Sequence, residues 1–517
     1  MKMLNDKSLK QSFGYTFLLG LIAHGYCFLN MIASHDALNN IYIAEKWTRV
    51  RAGRFFYPVY LSFVRGRIFV PWLIGILGLF WISLAVYLIV KLFQIKKNWA
   101  VFTVAAIAVT NPTVYTLAAS YLHDFDADMF ALFLSVAAAF CWKKGTGQST
   151  LKKRLLYLGT GALAVSVTMG IYQSFLSVTI ALIMIDCFGM LLDDQNWKKV
   201  FQDGFWGIFM LLFSAVFYFC EILISSALTG ISVFGNQEYN SLGNMGEALS
   251  SGIGGTIAGS YLDFFLSFWR VHSGYPGKMD VVIHGVLAAC LIGVVLWGFR
   301  KISWQNRLMI LLLAALMPMA MNFSYVLSGG LVHDLMKYAF WLVYLIALIV
   351  ILWLCERNCT AERWKRMTKY LFAGCMLLIV LGNIQSSNAV YMKKDLEYQS
   401  TLSYMTRVAQ KIEEQEEYVA GETPVLFVGE EAIGNSMSGF ERFEDITGVG
   451  SSSPITFYET YEKYFKYVLN LPLNLWEDQT VAEKECVAKM PVFPKEGSIQ
   501  MVDGVLVVKL EENHAED

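Results

Sequence analysis

Phe69-Val-Pro-Trp-Leu-Ile-Gly-Ile-Leu-Gly-Leu-Phe-Trp-Ile-Ser-Leu-Ala-Val-Tyr-Leu-Ile-Val-Lys-Leu92 holds a single charged residue, Lys91. A bilayer core takes roughly 20 apolar residues of helix, so this stretch reads as a membrane span, with Pro71 suited to its first turn. Ten more apolar runs flank it: 12–32, 99–120, 125–142, 155–170, 172–192, 204–229, 281–299, 308–327, 335–355 and 370–390. The predicted fold is therefore an all-α polytopic membrane protein of about 11 transmembrane helices. Asn111-Pro112 should kink the third of them. Lys2, Lys7 and Lys10 precede the first run as in a signal peptide. It is too long and too aromatic for a cleaved one and is expected to stay as a span.

Composition agrees and adds a division. Hydrophobic residues make up 56% of the 517 and charged residues 16%, against ~25% charged in soluble domains. Residues 1–392 carry 30 basic and 18 acidic residues, net +12, whereas 393–517 carry 11 and 24, net −13. We expect a polytopic domain over 1–392 and an acidic soluble domain over 393–517. A total charge of −1 shows no basic domain, so no nucleic-acid partner is expected. In the tail, 396–419 patterns as an amphipathic helix ending in Glu413, Glu414, Glu416 and Glu417. Pro424–Gly429 and Gly504–Lys509 read as strands, giving a small α/β or α+β domain. No Gly-rich phosphate loop follows its first strand. Of nine cysteines only Cys486 lies in the tail and no CxxC occurs, so no disulfide framework is implied.

Basic residues orient the chain. The N-terminus and 91–97, 143–154, 198–199, 300–307 and 357–369 hold 21 Lys and Arg; the alternate loops hold nine, six of them within 46–67. The richer side, with the N-terminus, is expected in the cytoplasm. The loops 33–68, 121–124 and 230–280 and the acidic tail would then face outward. The Gly/Ser-rich loop 230–280 is long enough for a lid over an outer cavity and equally reads as a plain connector.

Ionisable groups at a membrane edge are functional candidates by default. Three His-Asp pairs, His35-Asp36, His123-Asp124 and His333-Asp334, all fall on the expected outer side. The second continues to Asp126 and Asp128. If a helix starts there, Asp124 and Asp128 share a face and Asp126 points elsewhere. Asp128 also fits a plainer role, complementing a helix N-terminus. Lys46, Arg49, Arg51, Arg54, Arg65 and Arg67 break the positive-inside pattern. The stretch around them carries Ile41, Ala44, Trp47 and Val50 at helical spacing, as in a helix lying on the interface. Arginine forks suit phosphate, either on a lipid-linked substrate or on the headgroups of membrane lipids. Lys337 could meet a phosphate or snorkel to the surface. Transfer of a sugar to a hydroxyl needs a base for its proton, and a donor phosphate needs cations when it leaves. An outward carboxylate beside an arginine-rich segment supplies both. Imidazole and carboxylate are competent metal ligands, but three pairs from distant loops form no ligand spacing; no cofactor is expected, and a divalent cation is chemically possible but unsupported by the spacing. Tyr172 and Gln173, in an outward turn, are candidates for hydrogen bonds to a sugar.

Ser34-His-Asp-Ala-Leu38 after a first span, Ala52-Gly-Arg-Phe55 before a proline, the acids of His123-Asp-Phe-Asp126 and the turn Gly170-Ile-Tyr-Gln-Ser174 together resemble the bacterial O-antigen glucosyltransferase family of serotype conversion, over residues 12–390. Phe55 stands where that pattern leads one to expect Trp. The resemblance implies a GT-C-class membrane enzyme making an inverting transfer of glucose or another hexose. The donor would be a polyprenyl-phosphate sugar and the acceptor a surface polysaccharide or lipid-linked glycan, at the outer face of the bacterial plasma membrane. It implies Asp36 as catalytic base, Asp124 or Asp126 positioning the acceptor or supporting the base, and Arg51 and Arg54 on the donor phosphate. Around these, His35, Arg49, His123, Tyr172, Gln173, His333 and Lys337 are the remaining candidates for substrate binding. The alternative, a transporter or flippase of lipid-linked glycans, should show internal repeats, and the sequence has none.

Overall fold

The computed structural model describes residues 6–32, 37–38, 49–231, 233, 253–269, 278–356, 362–429, 443, 446, 448–450, 455 and 458–511. All eleven predicted runs fall in helices. Ten segments are long and apolar enough to cross a bilayer: Lys7–Leu29, Pro71–Leu92, Asn98–Ser120, Leu122–Thr146, Gln173–Leu192, Trp197–Thr229, Met279–Phe299, Trp304–Met321, Tyr338–Cys355 and Glu362–Glu413. The eleventh run lies in Leu151–Met169, whose first turn carries Lys152, Lys153 and Arg154 and so lowers its apolarity. Large apolar side chains such as Phe205, Ile208, Leu212 and Phe219 stand exposed along Trp197–Thr229, a face that only lipid would cover. The chain is a multi-pass membrane protein.

The expected break at Asn111-Pro112 is present. Helix Asn98–Thr110 stops, Asn111 is extended, and Pro112–Ser120 starts anew. Asn111 serves both halves: its Nδ2 donates to Ile107 O (2.9 Å) and its Oδ1 accepts from Val114 N (3.2 Å). Between helices in lipid, close approach replaces the hydrophobic effect as the organising force. Pro71–Leu92 shows how: a Cβ on Gly75 would sit 2.2 Å from the Phe28 ring, and one on Gly78 would sit 2.3 Å from Phe125. These two glycines let Lys7–Leu29 and Phe125–Thr146 pack onto one helix. Buried polar bonds fix the assembly further, with His24 joined to Tyr391 Oη (2.6 Å) and Val109 O (2.7 Å).

One sequence expectation needs correction. The connector 230–280 contains a helix, Ile253–Trp269. Gly254, Gly255 and Gly259 disguise its apolar stripe, in which Phe264 and Phe268 are buried. Gly259 has a packing reason, since a Cβ there would lie 2.6 Å from Tyr325 Oη.

The last span does not stop at the membrane. Glu362–Glu413 is one helix of 52 residues, taking in the predicted amphipathic segment as far as Glu413. It delivers the chain to a four-stranded sheet: β1 (Pro424–Val428), β2 (Asn474–Leu475), β3 (Ile499–Val502) and β4 (Val505–Lys509), in the order β2-β1-β4-β3. β1 is parallel to β2 and β4, and β3 is antiparallel to β4. The tail then returns to the bundle. Gly448, at φ +72°, lies so close to Ser120 that a Cβ would be 2.6 Å from its side chain. Buried Lys393, ion-paired to Glu397, donates to Val449 O (2.7 Å). Ser120 ends the helix leading into His123 and Asp124, so the acidic tail sits at that end of the bundle.

Candidate active site

At the end of Pro112–Ser120 the chain makes a single 3-10 turn, Leu122–Asp124, and enters Phe125–Thr146. That geometry stacks Asp124 and Asp128 on one face and sends Asp126 to another, as their spacing predicts. All three are buried. A charged carboxylate taken from water is costly unless paired, and two of the three have partners.

Asp124 meets Arg49. The guanidinium lies 2.7 Å from Asp124 Oδ2 and 2.9 Å from His123 Nε2. Arginine has only donors, so it bridges the carboxylate and the imidazole. Arg49 reaches them from a tight turn in which its own φ is +68° and that of Gly53 is +74°, a left-handed conformation costing a non-glycine residue about 1–2 kcal/mol. Asp126 meets Arg65, whose Nε lies 3.3 Å from Oδ2. The same guanidinium donates to His123 O, and Tyr60 Oη donates to Asp126 Oδ2 (3.2 Å). Tyr57 is buried beside the first pair; burial, with the Asp124 charge, pushes its hydroxyl well above the usual phenol range, so it stays protonated.

Asp128 differs. It is 5% exposed and forms no hydrogen bond or ion pair with any described residue, although Asp124, Arg54 and Arg49 lie within electrostatic range. Arg54 stacks its guanidinium 4.3 Å from the Tyr172 ring centre, and its buried Nε has no hydrogen-bond partner among the described residues. An acid and a cation thus share one site without contacting each other.

Two short motifs far apart in sequence build this site together. Gln173 Nε2 donates to Ala52 O (2.7 Å), Tyr218 Oη donates to Gly53 O (3.1 Å), and Phe56 N donates to Gly170 O (2.7 Å). The amide nitrogen of Gln173 is therefore occupied in holding the arginine turn. Phe55 packs inward on Tyr218, ring centres 5.7 Å apart, and lies over Gly170. A Cβ on Gly170 would come 2.7 Å from Phe55 Cζ. Gly170→Val is expected to push the arginine turn off its seat and cut the activity of this site at least about tenfold, about 1.4 kcal/mol of barrier. Glycan composition at matched protein abundance checks it.

The other sequence candidates fall elsewhere. His35 and Asp36 lie outside the described residues, as does most of the predicted interfacial helix. Arg51 is on the exposed side of its turn. His333 and Lys337 belong to a second group. Lys337 Nζ pairs with Asp263 (3.0 Å) and lies 3.6 Å from Asp334, whose carbonyl accepts from Thr113 Oγ1 (3.0 Å). Thr113 begins the helix that His123 follows, which sets the two groups roughly 15 Å apart along that helix. Among the described residues no group of three or more His, Cys, Asp or Glu is arranged to hold a metal ion.

Sequence reasoning missed Tyr57, Tyr60, Tyr218 and Asp263. A lone tyrosine in an apolar run was the available signal for Tyr218. Asp263 was hidden by the Gly-rich reading of its helix.

Residues 25–354 match the family model described as glucosyl transferase GtrII. No curated protein and no solved structure matches the chain. The match runs through the arginine turn, the three acids and the Gly170–Gln173 turn alike and covers more than half of the sequence: the chain belongs to the GtrII glucosyl transferase family.

Proposed function

We propose that this glucosyltransferase moves glucose or another hexose from a polyprenyl-phosphate donor to a surface polysaccharide or lipid-linked glycan, with inversion. It would act at the outer face of a bacterial plasma membrane, with its N-terminus cytoplasmic and residues 393–517 as an extracytoplasmic domain. The carrying observation is the unmatched pair: the Arg54 guanidinium and Asp128 share the site with no ion pair or hydrogen bond to any described residue, while Arg49 and Arg65 are held by Asp124 and Asp126. A departing phosphate wants such a cation, and a sugar hydroxyl wants such an acceptor.

In the reaction the acceptor oxygen attacks the anomeric carbon. The bond from that carbon to the phosphate oxygen breaks, and its electron pair stays on the phosphate. The acceptor proton passes to Asp36, the base. Arg54, with Arg51 at the rim, balances the phosphate charge. Asp124 and Asp126 keep Arg49 and Arg65 in place, and Asp128 accepts a hydroxyl of the sugar. His35, His123 and Tyr172 line the site, Gln173 positions the arginine turn, and His333 and Lys337 form a second polar group for substrate binding roughly 15 Å away along Pro112–Ser120.

The test is linkage and mass analysis of surface glycan from a null strain complemented with wild type or with Asp36→Asn. Wild type should restore one hexose and the equally abundant variant should fail, by about 100-fold or more for a lost base. Full restoration by Asp36→Asn would remove the base assignment. Loss of whole polymers in the null strain would favour transport over transfer.

A further inference from the structure

At the opposite end of the bundle, roughly 25 Å along Phe125–Thr146 from Asp126, Lys143 ends up beside a cavity of about 420 Å³. Four helix ends meet around it, those of Pro71–Leu92, Phe125–Thr146, Leu176–Leu192 and Val343–Glu356. Its floor is apolar, formed by Ile349, Leu352 and Trp353, and its rim is charged. Lys143 is neutralised there by Asp186 at 2.5 Å, and Asp193 adds a second acid. Lys96 and Lys97 are exposed on the same rim and form no ion pair with any described residue.

We propose that this cavity binds a phosphate group, that of an anionic phospholipid, with Lys96 and Lys97 on the phosphate and the apolar floor under the start of an acyl chain. Basic pockets between transmembrane helices at headgroup depth take anionic lipid heads, and an ammonium binds phosphate as a point charge without needing a fixed geometry. A soluble phosphate ester would present the same group without the chain. The Ile349-Leu352-Trp353 floor favours the lipid. The site is independent of the glucosyl transfer proposed above, because none of Arg49, Arg54, Arg65, Asp124, Asp126 and Asp128 lines it.

Native mass spectrometry of the full chain released from nanodiscs containing phosphatidylglycerol and phosphatidylcholine tests this. Wild type should retain one phosphatidylglycerol in preference to phosphatidylcholine. Lys96→Gln/Lys97→Gln should lower that occupancy at least fivefold. Lys152→Gln/Lys153→Gln, which removes two exposed lysines outside the cavity, should leave it unchanged. Equal retention by the first variant, or equal loss in both, would overturn the site. In phosphatidylcholine nanodiscs, inorganic pyrophosphate should give no shift in melting temperature. A shift that vanishes in the Lys96/Lys97 variant would keep the phosphate site and assign it to a soluble ester.

Discussion

Asp124→Asn is expected to abolish glucosyl transfer and to lower the stability of the bundle at the same time. The change removes the charge that Arg49 meets at 2.7 Å and leaves the amide in nearly the same space. Removing one member of a buried pair strands the other, at about 3–5 kcal/mol in a dry site. Arg49 keeps 19% side-chain exposure, so about 2 kcal/mol is the better expectation here, because solvent screens part of the loss. The chemical effect should be larger than the structural one. Arg49 holds Asp124 and His123 with one fork from a left-handed turn that Gln173 and Tyr218 tie down, and releasing the fork loosens the whole arginine segment. A misplacement of the order of 1 Å is enough for ~100-fold in rate. Arg49→Lys separates charge from geometry: an ammonium restores the charge but not the planar fork reaching two acceptors. It should recover most of the stability and little of the transfer. Melting of the purified protein and glycan analysis at matched abundance measure the two effects. Full transfer by Arg49→Lys would reduce the pair to a structural bridge.

The helical body was legible because lipid imposes a simple rule on sequence: about twenty apolar residues between charged loops. The rule weakened where side chains do two things at once. Lys152, Lys153 and Arg154 open a helix whose later turns are apolar, and glycines at 254, 255 and 259 conceal a helix that packs on Tyr325. In the tail, Pro424–Val428 and Val505–Lys509 announced themselves as β-branched runs. The two-residue β2 has no pattern to read and exists only through pairing with β1. For the site, the spacing of Asp124, Asp126 and Asp128 gave the correct faces, since helix periodicity is local. Which arginine meets which acid is a tertiary fact. Arg49, Arg54 and Arg65 looked alike in sequence, yet the structure holds two against carboxylates and leaves the Arg54 guanidinium without an ion pair or hydrogen bond to any described residue. Nothing in the spacing marked Gln173 as a strut for the arginine turn, because its partner, Ala52 O, is a backbone atom 121 residues away.

Asp128→Asn should show the reverse pattern, with transfer lost and stability kept. As a helix-terminal acid, its sequence reading, Asp128 would contribute about 0.3–1 kcal/mol through the macrodipole. Its replacement would then cost that stability and leave activity alone. The structure puts it in a different position: 95% buried, close to the Asp124 charge, with no described hydrogen bond or ion pair to lose. An acid placed so is an electrostatic burden on the fold, and the amide relieves the repulsion from Asp124 while gaining no partner. The net change in stability should stay within about 1 kcal/mol of zero, because the two effects oppose each other. If Asp128 accepts a sugar hydroxyl beside Arg54, the amide replaces one accepting carboxyl oxygen with an NH2 group that only donates. Transfer should fall by about 100-fold, near 2.7 kcal/mol of transition-state stabilisation. The two aspartates, four residues apart on one helical face, are thereby distinguished by a single pair of measurements. Asp124→Asn should lose both stability and transfer, and Asp128→Asn only transfer. Normal transfer by Asp128→Asn with a lowered melting temperature would return Asp128 to the helix terminus and leave Arg54 without its counterpart.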